Sequence, residues 1–165
     1  MVDLAQINAM SEEAAREALI KCCGSAQWVS SMVQARPFTS DAELFEKSDA
    51  VWFALPESEW LDAFGHHPRI GESQLREKFA STADWSAGEQ AGVASASEEV
   101  IQGLTEGNDA YFEKFGFVFL ICATGKSADE MLHALRERLP NDRQQELENA
   151  AREHSAITKI RLEKI

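Results

Sequence analysis

Helix-start signals recur along this chain of 165 residues and constrain its fold more than any other feature. Two capping boxes, Ser40-x-x-Glu43 and Ser127-x-x-Glu130, pair a serine with a glutamate three residues later. In such a box the two side chains satisfy free backbone N–H groups at the start of a helix. Ser11 and Ser25 give similar start signals, and only four prolines are present to interrupt the helices. These signals predict helices that begin at the serines.

Apolar residues recur at intervals of three and four, which is the spacing of an amphipathic helix. One long helix is predicted from Val100, Ile101, Leu104, Tyr111, Phe112 and Phe115. A last helix, capped by Asn141 or Asp142, is predicted from the stripe Leu147, Ala150, His154, Ile157 and Arg161. A chain of this length most often forms one domain. We therefore predict an all-α, single-domain bundle of about seven to nine helices over residues 1–165.

Residues 116–123 disagree with the helical pattern, because their aromatic and β-branched content is typical of a buried strand. The sequence offers no second segment to pair with them, and a lone strand leaves its backbone groups without partners. The segment is either a buried extended linker or a misread helix, and we favour the linker.

Charge excludes several classes of function. The chain carries 28 acidic and 16 basic residues, for a net charge of -12. Nucleic acids require a basic face, and anionic membrane surfaces attract basic segments, so we expect neither as a partner. An anionic ligand would have to be held by a few local donors against the field of the whole protein.

Cysteine and histidine usage points to a cytoplasmic protein without a metal site. Cys22, Cys23 and Cys122 form an odd set with one adjacent pair, which suits a reducing compartment. The first residues do not form a secretion signal, and no apolar run approaches the ~20 residues of a membrane span. His66 and His67 are adjacent and belong to no known ligand pattern, so we expect no metal and no cofactor.

The loop Gly65-His66-His67-Pro68 contains the first candidate for catalysis. Pro68 fixes its own φ and favours an extended conformation at His67, so the histidine would be positioned between helices. The alternative is an ordinary surface loop with a helix-stopping proline.

Two further sets of residues allow a structural and a functional interpretation. Ser86-x-x-Glu89 is another capping box, and that role alone explains it, although Glu89 beside a histidine loop could accept a hydrogen bond from a substrate. Arg161 either complements the dipole at the end of the last helix or anchors an anion.

In combination, these motifs resemble the 2-oxo-4-hydroxy-4-carboxy-5-ureidoimidazoline (OHCU) decarboxylases of urate catabolism. The resemblance extends nearly from end to end and rests on the order and spacing of short motifs. They are Cys22-Cys23-Gly24-Ser25, His67-Pro68-Arg69-Ile70-Gly71, Ser86-x-x-Glu89-Gln90-x-Gly92, Phe115-Gly116-Phe117-x-Phe119-x-Ile121-Cys122-Ala123, Leu139-x-Asn141-Asp142 and Ile157-Thr158-x-Ile160-Arg161-Leu162.

The resemblance implies an all-α, homodimeric carboxy-lyase without metal or organic cofactor, which converts OHCU into (S)-allantoin. It implies a catalytic role for His67 with Glu89 beside it. Residues implied to bind the substrate are Pro68, Ser86, Phe119, Ile121, Cys122, Ala123 and Arg161. Two alternatives remain: a non-catalytic helical module that binds a ligand or a protein, and a cofactor-free hydrolase or isomerase of a related ureide.

Overall fold

In the computed structural model the described residues are 2–67 and 91–165, and in the second range side chains are described from residue 98 onward. Throughout these two ranges the regular structure is helical, with eight α-helices and no strand. The helices are α1 (Leu4–Ala9), α2 (Glu12–Ile20), α3 (Ala26–Ala35), α4 (Asp41–Phe53), α5 (Glu57–Gly65), α6 (Ala91–Phe115), α7 (Ala128–Arg138) and α8 (Arg143–Leu162). The predicted all-α class is confirmed.

The serines that were predicted to start helices do so. The hydroxyls of Ser11, Ser40 and Ser127 each accept a hydrogen bond of 3.1 Å from the backbone N–H three residues later. The glutamate of the first capping box acts differently from the prediction, since Glu43 accepts the N–H of Thr39 at 2.8 Å. Thr39 also donates its hydroxyl to the same carboxylate, so this residue gives Glu43 two hydrogen bonds instead of one.

The chain divides into two compact units. The first contains residues 2–67 and 148–165, with α1 to α5 and most of α8, and the second contains the described residues 91–147. The sequence-based expectation of one domain over residues 1–165 stays a prediction.

Tryptophans organise the core of the first unit. Trp28 and Trp52 are almost completely buried. The indole Nε1–H of Trp28 donates to the carbonyl of Ser48 at 3.2 Å, and that of Trp52 donates to the carbonyl of Ala151 in α8 at 2.9 Å. Each indole therefore buries a large apolar area while its polar atom keeps a partner. Trp52 ties α4 to α8.

Two glycines allow α6 and α7 to approach closely in the second unit. A Cβ atom on Gly107 would lie 2.4 Å from Cδ2 of Leu135, and one on Gly103 would lie 3.0 Å from Cδ2 of Leu132. Any larger side chain would have to displace a buried leucine. Among the helices described, none is both long enough and apolar enough to cross a membrane.

The segment after α6 is extended, as predicted. Gly116 ends α6 with a φ of +82°, in the left-handed region that glycine adopts at little cost. Residues 117–120 are buried and residues 121–123 are half-buried, with no regular structure. The misread-helix alternative is therefore wrong.

Candidate active site

His67 lies directly after α5 and is half-buried in the first unit. Its backbone N–H donates to the carbonyl of Phe64 at 3.0 Å, and that of His66 donates to the carbonyl of Ala63 at 3.2 Å. These bonds extend the last turn of α5 up to the histidine. The backbone of His67 is therefore fixed by the helix that precedes it, which favours the positioned histidine over an ordinary surface loop.

Gly24, in the turn after α2, lies close to the side chain of His66. A Cβ atom at this position would lie 2.5 Å from Cγ of His66 and 2.6 Å from its Cδ2. A larger residue than glycine at this position would therefore force the side chain of His66 to shift. The Cys22-Cys23-Gly24-Ser25 motif therefore supports the loop that carries His67.

His154 of α8 is fully buried beside His67. The two imidazole rings lie 5.0 Å apart between centroids and almost perpendicular, at 88°. On another side, the ring of Trp52 stacks on His154 at 4.4 Å and 14°. Nδ1 of His154 lies 3.3 Å from the hydroxyl oxygen of Thr158, one helical turn later. The sequence pattern predicts His154 only as a member of the apolar stripe of the last helix, with no role at the site.

Arg161 lies in the last turn of α8, in the same unit as His67. Its Nη1 donates to the carbonyl of Lys21 at 3.3 Å, while much of the residue is exposed. The charge of Arg161 acts on both His67 and His154. Among the described residues Arg161 has this one hydrogen-bond partner, so its guanidinium has further donors for an anion.

Both histidines are kept neutral by their surroundings. Burial, followed by the positive charge of Arg161 and by His66, lowers the pKa of His67 to about 4. Burial, followed by His67 and Arg161, lowers the pKa of His154 to about 3. A Glu89 carboxylate beside His67 would raise the pKa of this histidine, and Glu89 lies outside the described residues. Arg161 and His66, which are described, lower the pKa of His67 instead.

An open pocket of about 440 Å³ lies beside Arg161. Its lining includes the basic residues Lys21, Arg161 and Lys164, together with Cys22 and the chain end at Ile165. Burial raises the pKa of the Cys22 thiol to about 11, so at neutral pH this side chain is an uncharged wall of the pocket. The pocket gathers three positive side chains on a chain whose net charge is -12.

In the second unit, the extended segment is held by side chains of its own unit. Arg138 donates to the carbonyl of Leu120 at 2.7 Å, and Nζ of Lys126 donates to that of Cys122 at 3.0 Å. The carbonyl of Ala123 accepts the backbone N–H of Lys126 at 3.0 Å. Three carbonyls of the segment therefore have hydrogen-bond partners within their own unit. Roles of Phe119, Ile121, Cys122 and Ala123 in substrate binding stay predictions.

Sequence reasoning missed the buried carboxylate that organises the second unit. Glu146 is fully buried and accepts hydrogen bonds from Arg138 Nε at 2.8 Å, from the Tyr111 hydroxyl at 2.7 Å and from Asn141 Nδ2 at 2.9 Å. Arg138 thus connects this carboxylate to the extended segment. The available signal was the spacing of Glu146, which lies four residues before the buried Ala150 in α8.

The buried stripe of α8 also differs from the predicted one. It contains Glu146, Leu147, Ala150, Ala151, His154, Thr158 and Leu162. Ile157 and Arg161 were assigned to the stripe, but Ile157 is half-buried and Arg161 is exposed. Four-residue steps along the helix lead from His154 to Thr158 and Leu162, and this places Arg161 at the edge of the stripe.

Three of the predicted site residues, Pro68, Ser86 and Glu89, lie outside the described residues. In the described parts of the chain, no group of three or more histidine, cysteine or acidic residues is arranged to hold a metal ion. His67 and Arg161 are the two predicted site residues that the first unit contains.

Comparison with known proteins gives consistent results. Residues 8–163 match a protein family described as OHCU decarboxylase. Over 167 residues the chain is 30% identical to the 2-oxo-4-hydroxy-4-carboxy-5-ureidoimidazoline decarboxylase of Amia calva, covering 99% of this chain and 94% of that protein. A crystal structure of OHCU decarboxylase in the presence of (S)-allantoin matches with a TM-score of 0.69 and 33% identity, covering 94% of this chain and 97% of that one.

A longer relative has a higher sequence identity. The chain is 40% identical over 146 residues to the uric acid degradation bifunctional protein TTL of Arabidopsis thaliana. The match covers 87% of this chain and 45% of that protein, so the chain spans less than half the length of this bifunctional relative.

Proposed function

Because the chain belongs to the OHCU decarboxylase family, we propose that it catalyses the decarboxylation of OHCU to (S)-allantoin in urate degradation. The observation that carries the proposal is the family match over residues 8–163, which includes every residue proposed for the site. The placement of His67 and Arg161 in one unit supports it.

The chemistry can proceed without a cofactor. The bond between the carboxylate and the ring carbon breaks, CO2 leaves, and the bonding electrons enter the conjugated imidazoline ring. A proton is then added to a ring carbon on one face. The protein has to hold the carboxylate out of the ring plane, stabilise the developing charge and deliver the proton from one side.

His67 is the proposed catalytic group. It would contact the departing carboxylate or supply the proton. With a pKa of about 4 in its described surroundings, its imidazole is neutral at pH 7 and accepts a proton before it can donate one. Glu89 would hydrogen-bond the substrate hydroxyl and ring N–H groups, and a nearby carboxylate would raise the pKa of His67.

Arg161 is the proposed anchor for the anionic substrate. A guanidinium offers five N–H donors, and one of those on Arg161 is engaged with the carbonyl of Lys21. The neighbouring lysines of the pocket, Lys21 and Lys164, add positive charge close to it. Ser86, Pro68 and the backbone of residues 119–123 would complete the substrate contacts.

The proposal extends to a homodimer in the cytoplasm. Cys22, Cys23 and Cys122 are free thiols, which suits a reducing compartment. Light scattering coupled to size-exclusion chromatography would measure the mass of the assembly, and a mass near 18.3 kDa would contradict the dimer.

The proposed activity is tested by generating OHCU in situ from urate, with enzymes that oxidise urate and hydrolyse 5-hydroxyisourate. Adding this protein should give fast formation of one allantoin enantiomer, followed by circular dichroism. If only the slow, racemic, spontaneous reaction appears, the proposal is wrong.

A further inference from the structure

The imidazole of His154 is a polar ring in the core of the first unit. The residue is fully buried, and its Nδ1 has Thr158 as a hydrogen-bond partner. Its Nε2 is buried with no hydrogen-bond partner among the residues that the structure describes.

The plane of the His154 ring is fixed from two sides. Trp52 stacks on it with ring centroids 4.4 Å apart, and Phe64 contacts it at 5.8 Å and 49°. Trp52 is itself fixed to the same helix through its hydrogen bond to the carbonyl of Ala151. His154 therefore presents a ring of fixed orientation to a third aromatic neighbour.

That neighbour is His67. A perpendicular arrangement at 5.0 Å is one of the favoured geometries for two aromatic rings. The backbone N–H of His67 donates a hydrogen bond to the carbonyl of Phe64, which fixes the backbone. The side chain still has two torsion angles that this hydrogen bond does not fix. Contact with a rigid ring removes most of that freedom on one side.

We propose that His154 is a positioning residue, which holds the imidazole of His67 in one orientation and keeps water away from it. The proposal rests on the proposed function, in which His67 acts on OHCU. Charged or titratable groups acting on the histidine pair are Arg161 and His66. Because the pKa of His154 is lowered to about 3, this residue adds no charge of its own at neutral pH.

The experiment compares His154→Leu, which keeps an apolar side chain without a flat ring, with His154→Phe, which restores the flat ring. Leu44→Ala is the control, since Leu44 is a fully buried residue of α4 in the same unit. For each variant we would measure kcat and KM for OHCU, the melting temperature, and the pKa of His67 by NMR. The chain has only four histidines, so the His67 signal is assigned from its loss in His67→Asn.

We expect His154→Leu to lower kcat at least tenfold, to change KM less than about twofold, and to shift the pKa of His67 towards 6.5 as water reaches its ring. His154→Phe should keep kcat within about threefold of wild type and leave the His67 pKa in place. Leu44→Ala should lower the melting temperature but change neither kcat nor the His67 pKa.

Three outcomes would overturn the proposal: wild-type kcat and His67 pKa in His154→Leu, an equal loss of kcat in folded His154→Phe, or the same pKa shift in Leu44→Ala. If His154→Leu does not fold, the test rests on His154→Phe. Loss of kcat in this variant would contradict the proposal. If the wild-type protein does not decarboxylate OHCU, the proposed function fails, whereas the NMR pKa values still test the contact between the two rings.

Discussion

The imidazole rings of His67 and His154 lie perpendicular to each other with their centroids 5.0 Å apart. One ring follows α5 and the other belongs to α8, so 87 positions of sequence separate them. Both are neutral at pH 7 because burial and Arg161 lower their pKa values to about 4 and about 3. Each imidazole can therefore accept a proton at this pH.

Replacing the proposed catalytic histidine should abolish most of the activity. We expect His67→Asn to lower kcat by about 10²–10⁴, the usual contribution of a positioned acid or base. Asparagine keeps polarity and approximate size but cannot transfer a proton near neutral pH. Stereospecific allantoin formation at the wild-type rate, in a variant with a native circular dichroism spectrum, would contradict the assignment.

Removing the proposed anion anchor should weaken substrate binding. A hydrogen bond to a charged group contributes about 1.5–3 kcal/mol, so Arg161→Ala should raise KM by about 10- to 100-fold. Lys159→Ala is the matched control, because Lys159 lies in the same last turn of α8 and its loss changes the net charge equally. If both variants raise KM equally, Arg161 acts only as a charge at the end of the helix.

Added salt should not slow substrate capture. The net charge of -12 opposes the approach of an anion, and ionic strength screens that long-range repulsion. We expect kcat/KM for OHCU to stay constant or rise modestly between low and physiological ionic strength. A steep fall in kcat/KM over this range would show that the substrate is steered by a positive field.

Stability should fall when the pH drops below 6.5. An unfolded histidine has a pKa near 6.5, whereas His67 and His154 stay neutral in the folded chain down to about pH 4 and pH 3. Their contribution is fully present above pH 6.5 and is lost as the pH falls towards these folded values. Each histidine changes the free energy of unfolding by at most about 1.4 kcal/mol per pH unit.

Urea denaturation at several values between pH 7 and pH 5 would measure this slope. His154→Phe should flatten it, because the variant has one buried histidine fewer to protonate on unfolding. A free energy of unfolding that is constant or rises on acidification through this range would contradict the conclusion that His67 and His154 are neutral in the folded chain.

A methyl group at Gly24 should disturb the histidine loop. The Cβ atom of Gly24→Ala would lie 2.5 Å from Cγ of His66, and overpacking of this kind costs about 1–3 kcal/mol. Gly65→Ala is the control, since a Cβ atom there meets no atom of the described residues within 4 Å. We expect thermal melting to show loss of stability, and assays to show loss of kcat, only for Gly24→Ala. Equal behaviour of the two variants would argue against close packing of His66 on the turn.

The sequence predicts the local features of this fold well. Serine caps, the extended segment after Gly116 and the all-α class all depend on neighbouring residues, and each is confirmed. The family resemblance, drawn from the order of short motifs, is confirmed as well.

Contacts between distant residues could not be predicted in the same way. The contact of His67 with His154 depends on how α5 packs against α8, and the Glu146 cluster depends on Tyr111, which lies 35 positions earlier. The predicted stripe of α8 missed Thr158 and Leu162 because periodicity gives the direction of a helix face only to within about one residue. Donors such as Arg138 reach the extended segment from elsewhere in the chain, so its composition could not reveal them.

The most direct test of the decarboxylase assignment follows both products of one turnover. OHCU labelled with ¹³C in its carboxylate would be supplied to the protein in D2O, with NMR and circular dichroism recorded together. We predict that release of labelled CO2 coincides with formation of (S)-allantoin that carries deuterium at its stereocentre. Release of label at the spontaneous rate, or formation of racemic allantoin, would contradict the proposed function.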